Sequence, residues 1–163
     1  MKRRAEKIKL VIDNDVLERY SKHYFELHPR AKKPPIQHPY HESINTWMIM
    51  KRMAMNALKQ KWKDFICWFV SDNGYADMSI NRCELSHKIF FPTNRRQDVD
   101  NYVPKFINDG LVVSGMIVDD DSLHITKLTL ECAVDSTHPR TEITIKILND
   151  ESKGDLLHGK QEG

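Results

Sequence analysis

The chain has 163 residues, enough for one packed domain and too few for two of ordinary size. With 40% hydrophobic and 29% charged residues it is neither disordered nor fibrous. No apolar run approaches the roughly 18–20 residues that span a bilayer, and MKRRAEKIKLVID lacks a secretory signal's apolar core, so a cytoplasmic protein away from the membrane is expected.

The first element is a strand at Ile8–Ile12, short, β-branched and bounded by charge. Val16–Leu27 reads as a helix or an ordered insertion. The four prolines of HPRAKKPPIQHPY, residues 28–40, exclude a continuous helix there and leave a basic loop. A long helix is expected next, with Ser43 as N-cap and Asn73-Gly74 as its stop. Met48, Met55, Leu58, Trp62, Phe65 and Phe69 recur along it as one apolar stripe. In Asn81–Phe91, Cys83, Leu85, His87 and Ile89 alternate with polar residues, a strand signature. Tyr102–Val113 has helical spacing, Met116–Val118 is a short apolar piece, and His124–Val134 and Thr141–Leu148 read as two strands joined by a turn at 136–140. Residues 1–148 therefore form a single α+β domain, and the polar tail 149–163 is expected to fray.

Charge is divided unevenly along this order. Residues 1–63 hold 15 Lys/Arg against 6 Asp/Glu, and residues 64–163 hold 10 against 17. Such a division is compatible with ordinary solvated faces, and equally with a basic surface for a polyanion beside an acidic cluster for a cation. The three cysteines, Cys67, Cys83 and Cys132, have no zinc-site spacing and read as free thiols.

Asp98 and Asp100 sit two apart where a strand gives way to a helix. In extended geometry their carboxylates share one face about 6–7 Å apart, within reach of one cation. A chain that doubles back after the helix would bring the Asp119-Asp120-Asp121 run to the same place. Three carboxylates with open water positions suit Mg²⁺, and such a site can hydrolyse a phosphodiester without a covalent nucleophile. Plain helix capping by Asp98 or Asp100 is the structural alternative. An EF-hand is excluded, because the run lacks Gly at the sixth and Glu at the twelfth loop position.

Arg95-Arg96-Gln97-Asp98-Val99-Asp100-Asn101, then Lys105, then Asp109-Gly110-Leu111, then Gly115-Met116-Ile117-Val118-Asp119-Asp120-Asp121-Ser122 resembles the core pattern of the RusA family of Holliday-junction resolvases. The match is close over residues 94–130. Elsewhere it rests on outline: a first strand, a Pro-Pro loop, a long helix and a terminal hairpin. The resemblance implies a homodimer with a mixed β-sheet packed by a long helix and by a shorter helix carrying the DxDN motif. It implies a Mg²⁺-dependent endonuclease, with Mn²⁺ able to substitute and no organic cofactor, that nicks four-way or branched DNA in recombination and repair, in a bacterial or phage setting.

Carried over residue by residue, the resemblance places the metal carboxylates at Asp98, Asp100 and Asp120, with Asp119 as the other acid of the pair. Asp121 has no counterpart. Lys105 is the family lysine displaced by one place, since Pro104 stands where the pattern has lysine. It would reach the phosphate or the attacking water. Asn101 would hold a neighbouring aspartate in ligand geometry. Arg95 and Arg96 would fork onto backbone phosphates, and Lys32, Lys33, Lys51 and Lys59 would extend the track. His87 and His124 read as hydrogen-bonded structural residues. Two other readings stay open: a non-catalytic DNA-binding protein of the same fold, and a metal-dependent ribonuclease.

Overall fold

The computed structural model describes residues 7–149; the N-terminal residues 1–6 and all of the expected tail except Asn149 lie outside it. Strand β1 (Lys7–Asp13) leads directly into helix α1 (Asn14–Leu27), whose start is fixed by the Asp13 carboxylate accepting from the Val16 amide at 2.9 Å. The segment after α1 is a loop, as its prolines require.

The long helix expected from Ser43 onward is broken. Ser43 does cap a helix, its hydroxyl accepting from the Asn45 amide, but that helix is the short α2 (Ile44–Trp47). The chain turns through Met48–Met50 and restarts as α3 (Arg52–Asp72), with Lys51 in an extended conformation. Met48 is 65% exposed and leaves the stripe, whereas Trp62, Phe65, Ile66, Phe69 and Val70 are buried at the i, i+3, i+4, i+7, i+8 spacing of one helix face. Helical periodicity shows which face is apolar and does not register a single non-helical residue such as Lys51. The helix stops where expected: Asn73 donates its side-chain amide to Phe69 O at 2.8 Å, and Gly74 takes a positive φ of 79°.

Strand β2 (Cys83–Phe91) follows, then a 3₁₀ turn (Val99–Tyr102), helix α4 (Lys105–Val113), and strands β3 (Ile125–Val134) and β4 (Arg140–Ile147). The strands form one mixed sheet in the order β1-β4-β2-β3, with β2 and β3 parallel and the other pairs antiparallel. The expected terminal hairpin is therefore absent: β3 and β4 lie on opposite sides of β2 and do not pair with each other. Alternation identifies a strand without naming its neighbour. The central position of β2 is explained by its inner row, Cys83, Leu85, His87, Ile89 and Phe91, all buried.

Ile8, Leu10, Ile12, Ile143 and Ile145 extend that row across the sheet, and α3 and α4 pack over it. The two helices come close at Gly110, where an added Cβ would lie 2.6 Å from Ile66 Cβ. No described helix is long and apolar enough to cross a membrane.

Candidate active site

The acidic run is held at both ends by backbone hydrogen bonds. Before it, Val118 N donates to Ile80 O at 3.0 Å and Ile80 N to Met116 O at 2.9 Å; after it, Cys83 N donates to His124 O at 2.8 Å. Asp119–Ser122 is thus a short loop lashed to the chain that enters β2. Within it Asp121 has the structural part that the sequence left unassigned. Its Oδ1 accepts from the amides of Leu123 (3.0 Å) and His124 (3.2 Å) and pairs with His124 Nδ1 at 2.5 Å. The hydrogen bond from His124 holds the Asp121 carboxyl below its ordinary range. His124 is accordingly the hydrogen-bonded residue expected.

Asp120 faces α4. Lys105 Nζ, in the first turn of that helix, lies 3.9 Å from Asp120 Oδ2 and 3.6 Å from Asp109 Oδ1 one turn further on. Burial raises the pKa of Asp120, and the negative charges of Asp109 and Asp119 push the same way against Lys105. The cluster carries more negative charge than Lys105 offsets, which is the electrostatic condition of a cation site. Its donors, carboxylate oxygens, are the hard ligands that Mg²⁺ or Mn²⁺ prefers. Asp119, Asp121 and His124 also each bring one potential metal-ligand atom within 4.8 Å of the others. Asp109 was not singled out as a site residue from sequence. Its position four after Lys105 on a helix is the signal that would have found it.

Asp98 and Asp100 are not on an extended face. Asp98 precedes the 3₁₀ turn and Asp100 lies within it, both exposed, so the motif rides on a turn ahead of α4 rather than on the helix. The Asp98 side chain makes no cap hydrogen bond, which removes the capping alternative for that residue; its contact is Arg96 Nε at 3.7 Å. The backbone amide of Asn101 closes the 3₁₀ turn on Asp98 O at 3.0 Å, a bond that leaves the Asp98 carboxylate free of it. The turn is anchored by Tyr102, which donates to Gln97 Oε1 at 2.6 Å and packs edge-on against Phe91. The ion pairs of the site are those of Lys105 with Asp109 and Asp120; among the described residues, Asp98, Asp100 and Asp120 do not come together as a group with ligand atoms within 4.8 Å of one another.

The basic residues expected to track DNA lie on several elements. Arg95 and Arg96 are exposed beside a shallow depression floored by Phe91, Cys132 and Val134. Lys59 projects from α3 with its Nζ 5.9 Å over the Phe106 ring, at the start of α4. Lys51 stands exposed at the head of α3, and Lys32 and Lys33 are exposed on the proline-rich loop.

Two buried histidines hold α4 from below. His41 Nε2 accepts the Phe106 amide at 3.1 Å, and His87 Nε2 meets Asn108 Oδ1 at 3.0 Å. Burial depresses both pKa values from 6.5 to about 4. His87 is thus structural, as expected. His41 carried no signal in the sequence, because its partner lies 65 residues away.

Carboxylates facing a lysine on the adjoining helix, carried on a mixed sheet packed by helices, are chemistry that a metal-dependent nuclease uses. The model of the family described as Endodeoxyribonuclease RusA matches residues 2–146, and the chain belongs to that family. Its members are metal-dependent endodeoxyribonucleases that act on Holliday junctions. No curated protein matches the chain.

Proposed function

We propose that this protein is a Mg²⁺-dependent, structure-selective endodeoxyribonuclease that resolves four-way and branched DNA by paired nicks, working as a homodimer in the cytoplasm of a bacterial or phage-infected cell. The observation that carries the reading is the contact of Lys105 with Asp120 and Asp109, next to a 3₁₀ turn whose Asp98 carboxylate is not used as a cap. Asp98, Asp100, Asp120 and Asp119 would hold the ion, Mg²⁺ or in its place Mn²⁺. When bound, it supplies the Lewis acid that activates water and offsets charge on the leaving oxygen.

The chain's own groups do the rest. Lys105 places a positive charge beside Asp120, where it can meet a non-bridging phosphate oxygen. Arg95 and Arg96 fork onto neighbouring phosphates, and Lys59, Lys51, Lys32 and Lys33 follow the strand outward. Asn101 would hold a neighbouring aspartate in ligand geometry. Homodimerisation follows from function: two symmetric nicks on one junction require two sites related by a twofold axis.

The test is cleavage of a synthetic four-way junction, with linear duplex and RNA as controls, in Mg²⁺ and in EDTA. Paired nicks on the junction alone, lost in EDTA, are expected. Asp98→Asn and Asp120→Asn should abolish cutting while junction binding persists or tightens, because each removes a charge that repels phosphate. Cleavage by either variant at the wild-type rate would remove that residue from the site. Binding of the junction by wild type without cutting would favour a non-catalytic protein, and preferential cutting of RNA a ribonuclease.

A further inference from the structure

We propose that His41 is a positioning residue for Lys105, setting the first turn of α4 from a different part of the chain; this rests on the nuclease reading above. Helix α4 starts badly by local criteria. The residue ahead of it, Pro104, offers no side-chain cap, and an uncapped first turn leaves amides without acceptors. His41 fills that gap: its Nε2 accepts from the amide of Phe106, the residue after Lys105, at 3.1 Å.

The ring is held for this task on every side. Its Nδ1 faces Glu42 O at 2.7 Å, so Nδ1 carries the proton and Nε2 is left as the acceptor that the helix amide needs. It lies nearly parallel to the Trp62 indole, centroids 5.7 Å apart, and 4.7 Å from the Phe106 ring. The segment bearing it is tied down in turn, by Trp62 Nε1 donating to Glu42 Oε2 at 2.7 Å and by Thr141 Oγ1 donating to Pro39 O at 2.6 Å. His41 is completely buried, and α3 and β4 are thereby linked to the helix end that presents Lys105. Two residues further on, His87 and Asn108 pin the same helix to β2. Neither histidine reaches solvent, so their effect on the reaction passes through where α4 places Lys105 and Asp109.

The experiment is single-turnover cleavage of the four-way junction in Mg²⁺ by wild type, His41→Leu, His41→Gln, Lys105→Ala and the double variant His41→Leu/Lys105→Ala, with junction affinity measured beside each. Leucine fills the space without an acceptor, whereas glutamine can offer its carbonyl oxygen to the Phe106 amide. His41→Leu should cut at least tenfold more slowly with junction affinity within twofold of wild type. Glutamine should restore most of the rate. The double variant should be no slower than Lys105→Ala alone, because the histidine acts through the lysine.

His41→Leu cutting at the wild-type rate, or losses that multiply in the double variant, would overturn the inference and leave the nuclease reading intact. Failure of wild type to cut would overturn both. Should His41→Leu not fold, His41→Asn replaces it: asparagine is polar but too short to reach the amide, and equal rates for asparagine and glutamine would refute the positioning role.

Discussion

Arg95 and Arg96 show how little a surface charge contributes to the fold and how much it has to offer a polyanion. The Arg96 side chain is 92% exposed and its nearest acid, Asp98, is 3.7 Å from Nε, a loose pair of the kind that adds little stability. Replacing both arginines with alanine should leave the melting temperature unchanged and weaken junction binding. It should also lower the salt dependence of log K by about 1 for each phosphate that the variant no longer neutralises. An unchanged salt slope, read by titration at several NaCl concentrations, would place the DNA elsewhere. At this scale the sequence was informative where residue types are chemically scarce. The sequence drew attention to the aspartates at 98, 100 and 119–121, to Lys105 and to the paired arginines, but not to Asp109 as a site residue; in the structure Asp98 pairs with Arg96, and Lys105 with Asp109 and Asp120. Asp121 was opaque because its role is a hydrogen bond to His124 and to two amides, which composition cannot express.

The element that governs the site is α4, and its fit against α3 depends on one glycine. Gly110 has no side chain to hold off Ile66, and a Cβ there would meet Ile66 Cβ at 2.6 Å and Cγ2 at 2.9 Å, atoms fixed to the helix rather than at a flexible tip. Gly110→Ala should therefore destabilise the protein by about 1–3 kcal/mol through overpacking, less the roughly 1 kcal/mol that alanine gains in a helix. It should also slow cleavage, since α4 must shift with Lys105 and Asp109 on it. A melting temperature above wild type would show that the two helices tolerate a wider spacing. The extent of most elements was legible from periodicity, including β2 and the stop of α3 at Asn73-Gly74. Two features were not. The break between α2 and α3 hinges on the backbone of Lys51, and the pairing of β3 with β2 rather than β4 is a long-range choice that no local pattern carries.

At the scale of the whole molecule, two histidines among the described residues lie neutral in the interior, and this sets how it responds to acid. Burial holds His41 and His87 at about 4 against an ordinary 6.5, so the unfolded chain binds protons that the folded chain refuses. The histidines' contribution to stability should thus be full above pH 6.5, fall as the pH drops from there towards 4, and change no further below. The loss has a ceiling on the order of 3 kcal/mol per histidine. Asp13 and Asp135, whose carboxyls are held below their ordinary range, lose their contribution only at lower pH, below about 4. Urea denaturation at pH 7 and pH 4.5 measures the slope; His41→Gln should flatten it, and a wild-type midpoint independent of pH would show that the histidines are not buried neutral. The sheet order has its own consequence for how the chain is made. Among the described strands, β4, the last in sequence, lies between β1, the first, and β2. Until residues 140–147 have left the ribosome, β1 has no strand partner and β2 has only β3. A nascent chain cut short before residue 140 would therefore lack an interior strand and leave uncovered the two facing edges, of β1 and of β2, that β4 joins.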